Sequence, residues 1–219
     1  MKQSQILVLL ILLVGNGMHA AASKEEHWLE YNNPFDNQFD GQLWFHGDSF
    51  QQSINQKNED GYTFLIRAIL KEEQVKRLIE LGADVNEQCE NGSTPLHWVA
   101  RLYSEKAIPL LLVLLDASAD INRQGRIGTA PLHVAAKYNR YEIVQLLLAN
   151  GADINQRSNG GFTPLHWAVF NNSKEVTQLL LAGGANAEIA NNDGCTAKMF
   201  ITNNLMGAIF DEALSLRNK

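Results

Sequence analysis

The 219-residue sequence predicts an all-α solenoid of about five stacked helix-turn-helix repeats, with β-hairpin loops and an aromatic-rich N-terminal cap. Two observations predict this fold class. A turn motif, Thr/Ala-Pro-Leu-His, recurs with its leucines Leu96, Leu132 and Leu165 standing 36 and 33 residues apart. An apolar stretch that ends in small residues and asparagine, as at 146–155, precedes each turn. Units with a period of about 33 residues bury their apolar faces by stacking, which makes a solenoid.

The first element of the chain is a predicted signal peptide, residues 1–22. Lys2 gives a positive start, residues 6–14 are an unbroken apolar run, and Ala20 to Ala22 offer small residues to a signal peptidase. Such a run rises only about 13 Å as a helix and does not span a hydrocarbon core of about 30 Å. A buried helix or a membrane anchor is the alternative. After cleavage, we expect a chain that begins at Ser23 and has no stable membrane anchor.

Residues 23–57 form the predicted N-terminal capping segment. They hold seven aromatic residues and six acids against two bases, and this aromatic density argues against a disordered tail. Ile54 and Asn55 look like the exit of a degenerate half-repeat that covers the first full repeat. A catalytic carboxylate pair is conceivable among the acids, but solvated capping charges are the preferred interpretation.

The repeats that follow contain signals for helix starts and stops. Thr94 and Thr163 stand where an N-cap belongs, and the proline after each occupies the first helical position, where a missing N–H costs nothing. Three glycines stand where a second helix ends and a positive φ is needed. They are Gly82, Gly151 and Gly184. Repeat two has Ser118 there, so we expect slight strain, and its three extra residues with Pro109 predict a longer loop between its helices.

The Thr-Pro-Leu-His turn and the Gly-Ala-Asp-Ile-Asn exit resemble the ankyrin repeat. The resemblance covers about residues 58–219, because weaker copies at Gly61 and Gly194 flank the three clear ones. We divide this domain into repeats 58–88, 89–124, 125–157 and 158–190, with 191–219 as a C-terminal cap. Within the cap, residues 208–214 are expected to belong to a last amphipathic helix.

Charge and spacing argue against several functions. The chain carries 18 basic and 24 acidic residues, a formal charge of −6, which disfavours nucleic-acid binding. His97, His133 and His166 lie about 8–10 Å apart in successive repeats, too far to share a metal. The resemblance implies instead that each bonds turn backbone. Cys89 and Cys195, about 30 Å apart, are expected to be free thiols. We therefore predict no metal, no cofactor and no enzymatic activity.

The resemblance implies protein binding through the hairpin tips and the first helices, which line a concave surface. Candidate partner-binding residues occupy the variable positions of that surface. They are Tyr62, Arg101, Leu102, Arg126, Lys137, Tyr138, Phe162, Phe170 and Asn171. Exposed Tyr, Phe and Arg on one face are typical of an interface core. Packing between repeats is the alternative for Phe162 and Phe170, and it is the preferred interpretation for Trp98 and Trp167.

Two functions fit this sequence. The first is an exported, monomeric, non-catalytic module that binds a protein partner in the periplasm or in a host cell. It is similar to leader-bearing ankyrin proteins of bacteria, including those that live with eukaryotic cells. The alternative is a periplasmic scaffold or protective partner of an envelope enzyme. Either function implies a secreted or periplasmic protein after leader cleavage. Asn-x-Ser sequons at Asn91 and Asn171 matter only in a eukaryotic secretory pathway, and coincidence is the preferred interpretation.

Overall fold

The computed structural model describes residues 54–103 and 105–217, and within them the chain folds into successive helix pairs. The predicted signal peptide and most of the predicted capping segment lie outside these residues. The pairs are α1 Phe64–Arg67 with α2 Glu72–Glu80, α3 Pro95–Arg101 with α4 Ala107–Asp116, α5 Pro131–Lys137 with α6 Tyr141–Ala149, α7 Pro164–Phe170 with α8 Lys174–Ala182, and a 3-10 helix Ala197–Phe200 with α9 Asn204–Arg217. No described helix is both long and apolar enough to cross a bilayer.

The first helix of each central pair begins where the sequence predicts. Thr94, Ala130 and Thr163 are the N-caps of α3, α5 and α7, each with an extended backbone, and the proline that follows is the first helical residue. Proline fits this position because its fixed φ is already helical and the first N–H groups of a helix have no partner within it. The predicted helix starts are therefore confirmed.

The second helices end as the sequence predicts. Gly82, Gly151 and Gly184 have φ values of 92°, 90° and 96°, and Ser118 takes the equivalent place after α4 with φ of 66°. A left-handed backbone brings a non-glycine Cβ close to the neighbouring carbonyl oxygen, which costs about 1–2 kcal/mol. The strain expected at Ser118 is thus present.

The loop between α3 and α4 is longer than its counterparts, as predicted, but Pro109 does not lie in it. The loop spans 102–106, whereas 138–140 joins α5 to α6. Pro109 is the third residue of α4. The placement of Pro109 was wrong because the first turn of a helix accepts proline, whose missing N–H has no intrahelical partner there.

The tips between successive pairs are tight turns. Gly128 N–H donates to the Gly125 carbonyl at 2.9 Å, and Gly125 N–H donates to the Thr129 carbonyl at 2.9 Å. Within the described residues these turns form no strands, and isolated antiparallel bridges join Lys57 to Thr63 and Ala190 to Thr196. The β-hairpin loops expected from the sequence are therefore hydrogen-bonded turns here.

The core runs along the stack of helix pairs. The turn leucines of the first helices, Leu65, Leu96, Leu132 and Leu165, are at most 1% exposed. Alanines such as Ala135 and Ala168 are fully buried, which lets neighbouring helices approach closely. Helix α9 closes the described end of the stack with Met206 and Phe210 buried, so the expected last helix is confirmed.

Candidate functional site

A histidine joins each central first helix to the next repeat. Backbone N–H groups of Thr94, Ala130 and Thr163 donate to the Nδ1 atoms of the following histidines at 3.1–3.2 Å. The Nε2 atoms of the histidines face carbonyls of the next repeat. The pairs are His97 with Thr129 at 2.9 Å, His133 with Phe162 at 3.0 Å, and His166 with Cys195 at 3.0 Å. Since Nδ1 accepts and Nε2 donates, each imidazole is neutral and fully engaged, which confirms the structural interpretation.

Burial lowers the pKa of all three histidines, and that of His133 falls to about 4. A charged imidazole would need a donor N–H at Nδ1, where a backbone N–H already points, so protonation also breaks the hydrogen bond to the N-cap. The described residues contain no group of three or more His, Cys, Asp or Glu placed to hold a metal ion. The role of these histidines is therefore structural: their hydrogen bonds join successive repeats.

A row of asparagines, which we call the asparagine ladder, also joins successive repeats. Side-chain oxygens of Asn55, Asn86, Asn122 and Asn155 each accept a backbone N–H from the following repeat. The donors are Asp84 at 2.8 Å, Asp120 at 2.7 Å, Asp153 at 2.8 Å and Asn186 at 2.8 Å. We did not predict these bonds from the sequence, although the constant interval of six residues from asparagine to the turn glycine signals them. The ladder fixes the register of neighbouring repeats.

The first helices and tips carry a row of cations and rings that we call the cation–aromatic stripe. Its members are Tyr62, Trp98, Arg101, Lys137, Tyr138, Phe162, Trp167, Phe170 and Phe200. Tyr62 and Trp98 meet edge to face at the N-terminal end, with ring centroids 5.6 Å apart. All members are half-buried except Trp98, which is 4% exposed.

Cations alternate with rings in the middle of the stripe. The Arg101 guanidinium lies 5.3 Å from the Trp98 ring centroid and 5.8 Å from that of Tyr138. The Lys137 ammonium lies 5.0 Å from the Tyr138 centroid and 5.6 Å from that of Trp167. Each is within the distance at which a ring quadrupole attracts a cation. Burial lowers the pKa of Lys137, and the charge of Arg101 lowers it further.

The C-terminal end of the stripe is wholly aromatic. The Phe162 centroid lies 6.1 Å from that of Trp167 and 5.8 Å from that of Phe200. Phe170 meets Phe200 edge to face at 6.0 Å. Half-buried rings in mutual contact form a continuous, stiff apolar surface beside the cations.

A family model described as ankyrin repeats (3 copies) matches residues 42–125, 65–158 and 107–193, and these overlapping stretches cover more than half of the sequence. The chain belongs to the ankyrin-repeat family. Ankyrin repeats are generally protein–protein interaction modules. No curated protein matches this ankyrin-repeat chain significantly.

Three predicted binding residues of this ankyrin-repeat chain lie outside the stripe. Leu102 is the C-cap residue that follows α3, and it is half-buried. Arg126 is exposed on the tip that precedes Gly128. Asn171 is half-buried and its amide donates to the Trp167 carbonyl at 2.9 Å, which caps the end of α7. The structure joins the other six predicted residues by ring and cation contacts.

Two residues of this region were missed by sequence reasoning. Phe200 stands two residues after Lys198, which replaces the turn leucine, and so holds the same register as Trp98 and Trp167. That register was the available signal. Arg140 lies in the loop before α6, where no periodicity marks it. Its guanidinium stacks 4.6 Å from the Tyr103 ring centroid, and its Nε donates to the Arg101 carbonyl at 2.9 Å.

Neither cysteine is a member of the cation–aromatic stripe. Cys89 and Cys195 are free thiols in separate ankyrin repeats, as the sequence predicts. Cys89 is buried, and burial raises the pKa of its thiol. A thiol with a raised pKa is a poor nucleophile at neutral pH because little thiolate is present.

Proposed function

We propose that this ankyrin-repeat chain is a non-catalytic binding module whose protein partner lies along the cation–aromatic stripe. The observation that carries the proposal is the cluster at Tyr138, where the guanidinium groups of Arg101 and Arg140 and the ammonium of Lys137 all lie within 5.8 Å of one ring. The few residues that dominate binding energy at protein interfaces are enriched in Trp, Tyr and Arg. Half-buried rings held by neighbouring cations are also pre-organised, so little side-chain entropy is lost on binding.

The non-catalytic character is supported by what the titratable groups already do. Both nitrogens of His97, His133 and His166 are engaged in the stack, so none is available as a general base. The buried Cys89 has a raised pKa rather than the lowered pKa of a nucleophile. Within the described residues, these features favour binding over chemistry.

A matched pair of variants tests the proposed interface. The double variant Tyr138→Ala with Phe170→Ala removes two stripe rings, and Tyr141→Ala removes an exposed tyrosine on α6, which is a second helix. The full chain and the Tyr141→Ala variant should capture the same partner, and the double variant should bind it about 30-fold to 900-fold more weakly, or about 2–4 kcal/mol. A partner that binds the double variant as tightly as the full chain would contradict the proposal.

We also propose export, supported by the predicted signal peptide of residues 1–22. The module would bind a protein partner in the periplasm or, after secretion, a host protein. The alternative is that the same surface binds an envelope enzyme, for which the module acts as a scaffold. Export predicts a mature N-terminus at Ser23, because Ala20 to Ala22 fit a signal peptidase site. Mass spectrometry of protein recovered from the cell exterior or periplasm measures it. An intact Met1, or retention in the membrane, would overturn export while leaving the binding proposal in place.

A further inference from the structure

Lys137 is a half-buried cation whose ammonium lies against aromatic rings. Its ammonium sits between the rings of Tyr138 and Trp167, at 5.0 Å and 5.6 Å from their centroids, and no carboxylate pairs with it within residues 54–103 and 105–217. Acids are plentiful elsewhere on the chain, and exposed pairs such as Arg77–Glu80 at 3.0 Å do form. Partial burial of an ammonium without a counter-charge costs free energy, which an arriving carboxylate would recover.

The chemistry of the stripe changes in order along the stack. Arg101, Lys137 and Phe170 each stand five residues after the turn leucine of successive repeats, so they mark equivalent positions on α3, α5 and α7. Packed helices lie about 8–10 Å apart, and in an extended polyproline II segment every third side chain returns to the same face about 9 Å further along. A segment lying along the stripe therefore meets a cation, a second cation and an aromatic surface at intervals of about three residues.

We propose that the stripe binds an extended acidic segment of a partner protein, with two carboxylates three residues apart and an aromatic or large apolar side chain three residues beyond. This inference rests on the proposed function and names its partner class. The two carboxylates lie against Arg101 and Lys137, where the surrounding rings exclude water and strengthen the ion pairs. The apolar side chain lies against Phe170 and Phe200. The chain as a whole has a net charge of −6, so this positive surface differs from the remainder of the molecule. The overall negative charge repels acidic segments that approach elsewhere.

A random heptapeptide display library, selected on the full chain, tests the segment chemistry directly. We expect enrichment of Asp or Glu at two positions three apart, with Phe, Tyr, Trp or Leu three residues further on. The charge reversal Lys137→Glu should weaken the selected peptides by about 10-fold or more. Lys174→Glu, which reverses a lysine in the first turn of α8, is the matched control and should change binding by less than about twofold. Raising the salt concentration should weaken binding to the full chain more than to the Lys137→Gln variant.

Other outcomes of the selection distinguish failure of the acidic-segment inference from failure of the proposed function. Neutral or basic peptides that lose binding in the Tyr138→Ala and Phe170→Ala variant would overturn the acidic segment while leaving the proposed function intact. Peptides that bind that variant and the full chain equally, or no enrichment at all, would overturn both. Peptide binding that falls as protein concentration rises would assign the stripe to a second copy of this chain and overturn the inference. Equal thermal melts of the Lys137→Glu and Lys174→Glu variants exclude misfolding as the cause of weaker binding.

Discussion

The free energy of unfolding of this chain should fall as the pH drops from 7 to 4, with His133 alone contributing about 3 kcal/mol of the loss. His133 has its pKa lowered from 6.5 to about 4 by burial. Between these two values the unfolded chain binds a proton that the folded chain does not, so acid favours unfolding. The stabilisation is complete above pH 6.5, and about 2 kcal/mol of it is gone at pH 5. His97 and His166, with pKa values lowered by the same cause, add to the loss.

Denaturant unfolding at a series of pH values measures this linkage. His133→Gln is the informative variant, because glutamine can accept from the Ala130 N–H and donate to the Phe162 carbonyl but does not titrate. Its free energy of unfolding should depend less steeply on pH than that of the full chain between pH 7 and 5. His27→Gln changes a histidine in the segment before the repeats and serves as the control. An unchanged slope in His133→Gln would show that His133 is not a buried neutral imidazole.

The substitution Gly128→Ala should lower the free energy of unfolding by about 2–5 kcal/mol. Gly128 has φ of +74°, and a Cβ there would overlap the backbone nitrogen and the side chain of Asn159 in the next tip. The strain of an alanine in the left-handed backbone conformation accounts for part of this loss, and the overlap of its Cβ with Asn159 accounts for the rest. The overlap also disturbs the bond from Asn159 N–H to the Ile127 carbonyl, now 3.1 Å, which joins the two tips.

Gly151→Ala separates the two costs. Gly151 has φ of +90°, but a Cβ there would meet nothing within 4 Å, so only the backbone strain of about 1–2 kcal/mol applies. Chemical denaturation of both variants should therefore rank Gly128→Ala as the less stable by about 1–3 kcal/mol. Equal losses would mean that the tips do not pack as closely as described.

The parts of this fold that sequence reasoning predicts are those that a local rule determines. Proline at the first helical position, left-handed glycine after the second helix and the unusual Ser118 each follow from backbone sterics within a few residues. Pro109 was misplaced because two local rules compete there: proline suits a loop and also suits the first turn of α4. Periodicity predicted the stack but gave no side-chain contact between repeats.

Only those features of the stripe that depend on position within one repeat were predicted from the sequence. Arg101, Tyr138 and Phe170 follow from repeat register, yet the pairing of Lys137 with the Trp167 ring depends on how far neighbouring repeats rotate. Arg140 joins through a loop that has no register. The degree of burial also escaped prediction, since Tyr138 and Phe170 are half-buried rather than fully solvent-facing. The degree of burial of these two rings depends on their neighbours in adjacent repeats and not on their own sequence positions.

The stability of the Tyr138→Ala and Phe170→Ala double variant, measured by denaturant unfolding beside its affinity for the captured partner, decides whether the stripe is interface or core. Removing these two half-buried interface rings together should lower the free energy of unfolding by about 1–2 kcal/mol. The same variant should lose about 2–4 kcal/mol of binding free energy, while Tyr141→Ala loses neither. Each core phenylalanine replaced by alanine costs about 3–5 kcal/mol. A stability loss beyond about 4 kcal/mol with unchanged affinity in the folded fraction would show that these rings are core, and the proposed interface would be wrong.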